Sequence, residues 1–225
     1  MNHPVVILGA PRSGTTLLAS ILSCSGISSG LPDRDWNPSS GYYEHPLLIS
    51  CYGDLKKSRL FANYSDSLSN FFRNRALQKL RKLSSQSQLF KFPLLSYMLP
   101  PLLIELGFKP ITIVIYRSFS SYANSYFKLR PSISYADIKQ IFLDTYRQSL
   151  LLPSICTTLF VSYDELCSSS CPHQLAVLED YLSINVGTFI QCRNSLVRHS
   201  SRPPASLIVD SECDSLYDLL SKKSC

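Results

Sequence analysis

The chain has 225 residues, 45% hydrophobic and 17% charged, which is too apolar for a disordered chain and long enough to bury one sizeable core. Its formal net charge of +6 comes from 22 Lys and Arg against 16 Asp and Glu, with no dense basic run and no RNP-like aromatic segment. That argues against a nucleic-acid tract and leaves an anionic membrane surface or a small anion as partner, and no apolar run reaches the roughly 18 residues that would span a bilayer.

In chain order, Pro4 to Gly9 (PVVILG) is a β-branched apolar run closed by glycine and predicts a buried parallel strand. Thr15 to Cys24 has helical composition. Residues 26–43, rich in Gly, Pro, Ser and Asp, predict a long loop. Pro46 to Leu55 predicts a helix with proline in its first turn, and 66–83 an amphipathic helix. Within the latter, Arg73 to Lys82 (RNRALQKLRK) is the nearest approach to a basic cluster, spaced as the solvated face of a helix, with a partner surface as the alternative. Leu89 to Phe92 predicts a second strand, and Pro100 to Leu106 the end of a helix with Gly107 at its C-cap.

Ile111 to Tyr116 (ITIVIY) is the clearest strand after the first. A helix is expected over Ser118 to Leu129. Another starts near Ser134, where Ser134-Tyr135-Ala136-Asp137 fits a capping box with Asp at its last position. Thr158 to Ser162 predicts a further strand, followed by a helix containing Leu175 to Leu182. Loops and one short helix near Ser215 to Leu220 are expected in the last forty or so residues. Strands alternating with helices predict an α/β fold, a three-layer sandwich with a central parallel sheet and helices on both faces. Nothing in the composition marks a second domain, so 1–225 is expected to form one.

The eight cysteines, Cys24, Cys51, Cys156, Cys167, Cys171, Cys192, Cys213 and Cys225, contain no C-x-x-C pair, and their spacing does not suggest zinc. With a strand starting almost at Met1, no secretory leader is expected. The thiols then read as reduced and the protein as cytoplasmic.

The segment Gly9-Ala10-Pro11-Arg12-Ser13-Gly14-Thr15-Thr16 lies between a predicted strand and a predicted helix. Backbone N–H groups and a helix N-terminus can cradle an anion there. The spacing matches the G-x-x-x-x-G-K-[ST] loop of nucleoside triphosphatases, except that Thr15 stands in place of the lysine that reaches the β- and γ-phosphates. ATP or GTP chemistry is therefore a poor reading, and Arg12 offers positive charge from within the loop. The strand Ile111 to Tyr116 ends in Arg117, where a magnesium-holding aspartate would be needed. A cation there suits a second anionic group on the ligand.

These residues resemble the P-loop sulfotransferases of the bacterial type. Pro11, Arg12, Ser13, Gly14, Thr15 and Thr16 are similar to the family's 5′-phosphosulfate loop, P-[KR]-S-G-T-T. Arg117 to Ser125 (RSFSSYANS) is similar to its 3′-phosphate motif, an Arg at a strand end and a Ser eight residues later. Gly41-Tyr42-Tyr43-Glu44 resembles G-[FYW]-[FYW]-E. Lys91-Phe92-Pro93 resembles K-D-P-R, with Phe92 for the Asp and Leu94 for the Arg. Val161 to Leu166 resembles a strand end of the form hydrophobic-x-Y-E-D-L, and Arg193 to Arg198 a late basic loop.

The resemblance implies transfer of a sulfuryl group from 3′-phosphoadenosine 5′-phosphosulfate to an acceptor hydroxyl or amine, with no metal. It implies that the loop and Arg12 hold the 5′-phosphate and that Arg117 and Ser125 hold the 3′-phosphate, with Arg193 and Arg198 either closing over it or belonging to a solvated loop. Lys91 is the candidate for the sulfuryl group. Glu44 is the first candidate for the base, with the adjacent His45, of more suitable intrinsic pKa, as the alternative. The acceptor, a carbohydrate or other small molecule, and the oligomeric state stay open. The changed K-D-P-R stretch also leaves open a non-catalytic descendant that binds nucleotide or a partner.

Overall fold

The computed structural model describes residues 3–30, 44–168, 172–197 and 208–224. Four strands, β1 (Val5–Leu8), β2 (Leu89–Lys91), β3 (Ile111–Tyr116) and β4 (Thr157–Ser162), form one parallel sheet in the order β2-β1-β3-β4. Val5 pairs with Leu89 on one side and with Ile111 on the other, and Ile111 pairs with Thr157. The helices are α1 (Thr15–Cys24), α2 (Pro46–Phe61), α3 (Asp66–Ser84), α4 (Leu99–Glu105), α5 (Phe119–Leu129), α6 (Tyr135–Ser149), α7 (Tyr163–Cys167), α8 (Pro172–Leu182), α9 (Val186–Leu196) and α10 (Ser211–Lys222).

Strand alternation divides the core in two. Val6, Leu8, Val114, Tyr116 and Phe160 face a layer built from α2 to α6 and α10. Val5, Ile7, Ile113, Ile115, Leu159 and Val161 face α1 and α7 to α9. Successive strand residues point to opposite faces, and both faces are covered, so β1 is apolar throughout. This is the three-layer α/β sandwich expected.

The prediction differs from the structure at four places. The strand ends at Ser162 as expected, but a short helix not foreseen, α7, follows at once, its N-terminus capped by the Ser162 hydroxyl accepting from Glu165 N at 3.4 Å. The helix begun at Pro46 continues to Phe61. Residues 186–196 form α9, capped by Asn185 accepting from Thr188 N at 2.9 Å, so Arg193 lies on a helix and not in a loop. The last helix extends over Ser211–Lys222, capped by Asp210. Ser134 caps α6 as expected, accepting from Asp137 N at 3.0 Å.

Candidate functional site

In sequence the chain runs from β1 to β2 on one side and then returns to β3 on the other. The order therefore reverses between β1 and β3, and the crevice beyond the carboxyl ends of these strands is where open α/β sheets bind ligands. The loop of residues 9–14 follows β1 into that crevice, and Arg117 follows β3.

The loop can turn so tightly because of its two glycines. A Cβ on Gly9 would lie 2.6 Å from Ile115 O and 2.5 Å from Ser13 Oγ. Gly14 has φ 102°, in the left-handed region, and a Cβ there would lie 2.8 Å from Tyr163 Cε2, with Cδ2 nearer still. Between them Ser13 N donates to Ala10 O at 3.0 Å, and Arg12 takes φ 77°, uncommon for a residue with a side chain. Gly14 is the N-cap of α1 but supplies no side-chain cap, and the first turn holds no acidic residue. The helix thus starts without a local side-chain cap or carboxylate to offset its dipole, as suits an anion at that end. Pro11 and Thr16 are half-buried, Thr15 is buried and Arg12 is exposed.

The loop is braced from below. Tyr146 is fully buried on α6, donates to Ile115 O at 3.1 Å and sits beside Ser13 and Ala10. Burial pushes its phenol well up, so it stays a protonated donor. Ser13 Oγ is itself buried and has no partner in hydrogen-bond geometry among the described residues.

On the β3 side there are two side-chain contacts. Arg12 Nε donates to Ser125 Oγ on α5 at 3.4 Å, which joins the loop to the helix after β3. The Arg117 guanidinium lies 4.5 Å from the centre of the Tyr163 ring, and its Nε is buried with no hydrogen-bond partner among the described residues. Tyr163 is thereby wedged between Gly14 of the loop and Arg117. Burial raises its phenol first of all, as it does the neighbouring Cys167 thiol, which Arg117 and Arg193 pull the other way. Neither Tyr163 nor Tyr146 was singled out as a site residue from the sequence, although Tyr163 lies in the Val161 to Leu166 stretch.

Arg193 is less available. It is buried on α9, donates through Nη1 to Ser168 O at 3.0 Å, and through Nε and Nη2 to Asn194 Oδ1 at 3.1 and 2.8 Å. Arg198, with Gly41, Tyr42 and Tyr43, lies outside the described residues.

On the β2 side, register places Lys91 beside Ile7 at the same end of the sheet. Its buried ammonium lies 3.3 Å from Glu44 Oε1. Burial draws the Lys91 pKa below its usual value, and the Glu44 carboxylate opposes that shift. His45 caps α2: its Nδ1 accepts from Leu47 N at 3.1 Å, and burial lowers its pKa. A neutral ring accepting at Nδ1 carries its proton on Nε2, which leaves no free lone pair for a base. Phe92 is buried against Tyr52, with ring centres 5.6 Å apart. Among the described residues, no group of three or more His, Cys, Asp or Glu side chains is placed to hold a metal ion.

No protein-family model and no curated protein matches the chain. Solved structures do. The sulfotransferase domain from the Synechococcus PCC 7002 olefin synthase is similar over 98% of this chain and 96% of its own length, at 18% identity and a TM-score of 0.57. The sulfotransferase domain from the curacin biosynthetic pathway is similar over 98% of each chain, at 17% identity and a TM-score of 0.50. The chain therefore has a sulfotransferase fold.

Proposed function

We propose that this sulfotransferase fold is a working transferase. On this reading a single domain takes 3′-phosphoadenosine 5′-phosphosulfate as donor and passes its sulfuryl group to a hydroxyl or amine of a small-molecule or carbohydrate acceptor. One observation carries the reading: the 3.4 Å contact of Arg12 with Ser125 joins the β1 loop to the helix after β3, beside an Arg117 whose Nε is uncommitted. Two separated anions on one ligand suit that crevice better than a triphosphate. No magnesium-holding aspartate ends β3, because Arg117 stands there.

The residues present fit such a donor. The unsatisfied Ser13 hydroxyl, the uncapped start of α1 and the close approach at Gly9 and Gly14 make a cradle for the 5′-phosphate, with Thr15, Thr16 and Pro11 shaping it. Arg117 and Ser125 would hold the 3′-phosphate. Arg193, committed to Ser168 and Asn194, serves as a brace for that side of the crevice. When bound, the donor supplies an electrophilic sulfuryl group on a phosphate leaving group. Arg12 stabilises the charge that develops at the loop, and Lys91 faces the transferred oxygens. Glu44 takes the acceptor proton, its carboxylate oriented by Lys91. His45, with its proton held on Nε2, positions α2.

A second reading has a specific observation in its favour. Phe92 is packed into the core, and Lys91 is closed onto Glu44, as a non-catalytic descendant would allow. Two measurements separate these possibilities. Adenosine 3′,5′-bisphosphate should bind without added metal and better than ATP with Mg²⁺; a preference for ATP and metal refutes the donor assignment. Labelled sulfate should reach at least one member of an acceptor panel; tight bisphosphate binding with no transfer supports the non-catalytic reading.

A further inference from the structure

The end of the α2–α3 hairpin carries an apolar surface that the transferase reading does not use. Leu60 is 64% exposed, Tyr64 82%, Leu68 45% and Phe71 54%. All four lie at the turn joining the two helices or within the adjoining turns. Phe61 and Phe72 stack there with ring centres 5.7 Å apart, and Phe71 meets Phe72 edge-on at 5.3 Å. No residue of α3 before Ala76 is buried, so its first half stands off the core. Scattered exposed apolar residues need no account, but a contiguous cluster on a helix end does.

The rim of this cluster is cationic. Residues 56–75 hold five Lys and Arg, Lys56, Lys57, Arg59, Arg73 and Arg75, against one carboxylate, Asp66. Lys57 lies 5.4 Å from the centre of the Phe72 ring, and Arg75 lies 5.6 Å from that of Phe71. Arg73 pairs with Glu105 and Arg75 with Asp54, while Lys56, Lys57 and Arg59 make no ion pair among the described residues. A tip of Leu, Phe and Tyr ringed by cations matches the boundary between acyl chains and anionic headgroups. No helix among the described residues is long and apolar enough to cross a membrane, so the contact is peripheral.

We propose that the α2–α3 tip docks on an anionic lipid surface, with Leu60, Tyr64, Leu68 and Phe71 entering the interface and Lys56, Lys57 and Arg59 meeting the headgroups. The opposite sign at a lipid surface offers counter-charges to the cations that make no ion pair among the described residues.

The test is co-sedimentation of the full chain with phosphatidylcholine vesicles holding about 30% phosphatidylglycerol, and with phosphatidylcholine alone, at low and high salt. Binding to the anionic vesicles, weakened by salt, is expected. Leu60→Ser with Phe71→Ser should reduce it at least about tenfold, as should Lys56→Gln with Lys57→Gln. Both variants should keep bisphosphate binding, which controls for folding. No binding to anionic vesicles overturns the proposal. So does binding insensitive to the Ser pair, which would mean charge alone. A dimer by light scattering that the Ser pair dissociates, without vesicle binding, assigns the tip to a second copy and also overturns it.

Discussion

Replacing Gly14 with alanine tests the architecture of the anion crevice most directly. The residue has φ 102°, and an L side chain in the left-handed region costs about 1–2 kcal/mol. The added methyl would meet Tyr163 within 2.8 Å and Ile115 Cδ1 at 3.2 Å. Relieving that clash by moving the Tyr163 ring costs about 1–3 kcal/mol, as overpacking does elsewhere. Urea unfolding should therefore show a loss of about 2–5 kcal/mol. The displaced ring also leaves the Arg117 guanidinium, which it now faces at 4.5 Å, so affinity for adenosine 3′,5′-bisphosphate should drop by about 0.5–2 kcal/mol. In a Tyr163→Ala background the clash is gone, and Gly14→Ala should cost only the backbone strain. Tyr163 is not a wedge against the loop if Gly14→Ala loses less than about 1 kcal/mol, or if its cost is the same with and without the Tyr163 ring to within about 0.5 kcal/mol.

Other expectations concern single groups. Arg117→Ala should weaken bisphosphate binding by about 1.5–3 kcal/mol in calorimetric titration, the range for a charged hydrogen bond; an unchanged affinity contradicts the two-anion crevice. Glu44→Gln should lower turnover far more than donor affinity, whereas His45→Ala should cost about 0.5–2 kcal/mol of stability through the lost cap and leave turnover largely intact. Abolished turnover in His45→Ala alone would reverse the base assignment. Burial holds Lys91 below its usual 10.5 in the folded chain. Between that lowered value and 10.5 the unfolded chain binds the extra proton, so this group makes stability rise with pH; below the window its contribution is a constant cost. Lys91→Met should flatten that rise in unfolding curves taken across alkaline pH.

Much of the fold was legible because the signals are local. The runs at Val5–Leu8 and Ile111–Tyr116 are short, β-branched and apolar on both faces, as buried parallel strands must be. The helix α9 was not legible. Its stretch VGTFIQCRNSL opens on residues of poor helix propensity, and its helicity comes from the Asn185 cap and from burying Phe189 in the layer with α1. The short α7 fell below the length at which periodicity speaks. In the candidate site, Gly9, Gly14 and Arg117 could be picked out from their spacing and strand-end positions, and Ser125 only from the family resemblance. Tyr163 could not, since its contact with Gly14 exists only once β4 lies against β3 and β3 against β1. The capping contact of His45 had a readable signal, the following Pro46 at the first helical position.

The central place of β1 has a consequence for how the chain is made. Its two hydrogen-bonding neighbours begin at Leu89 and Ile111, so during synthesis β1 emerges well before either strand that it pairs with. Pairing over such distances is slow, and an unpaired VVIL segment is a sticky one in the interval. Nascent chains arrested before residue 111 should hold chaperones and show no nucleotide affinity, which would appear abruptly once the second neighbour has emerged.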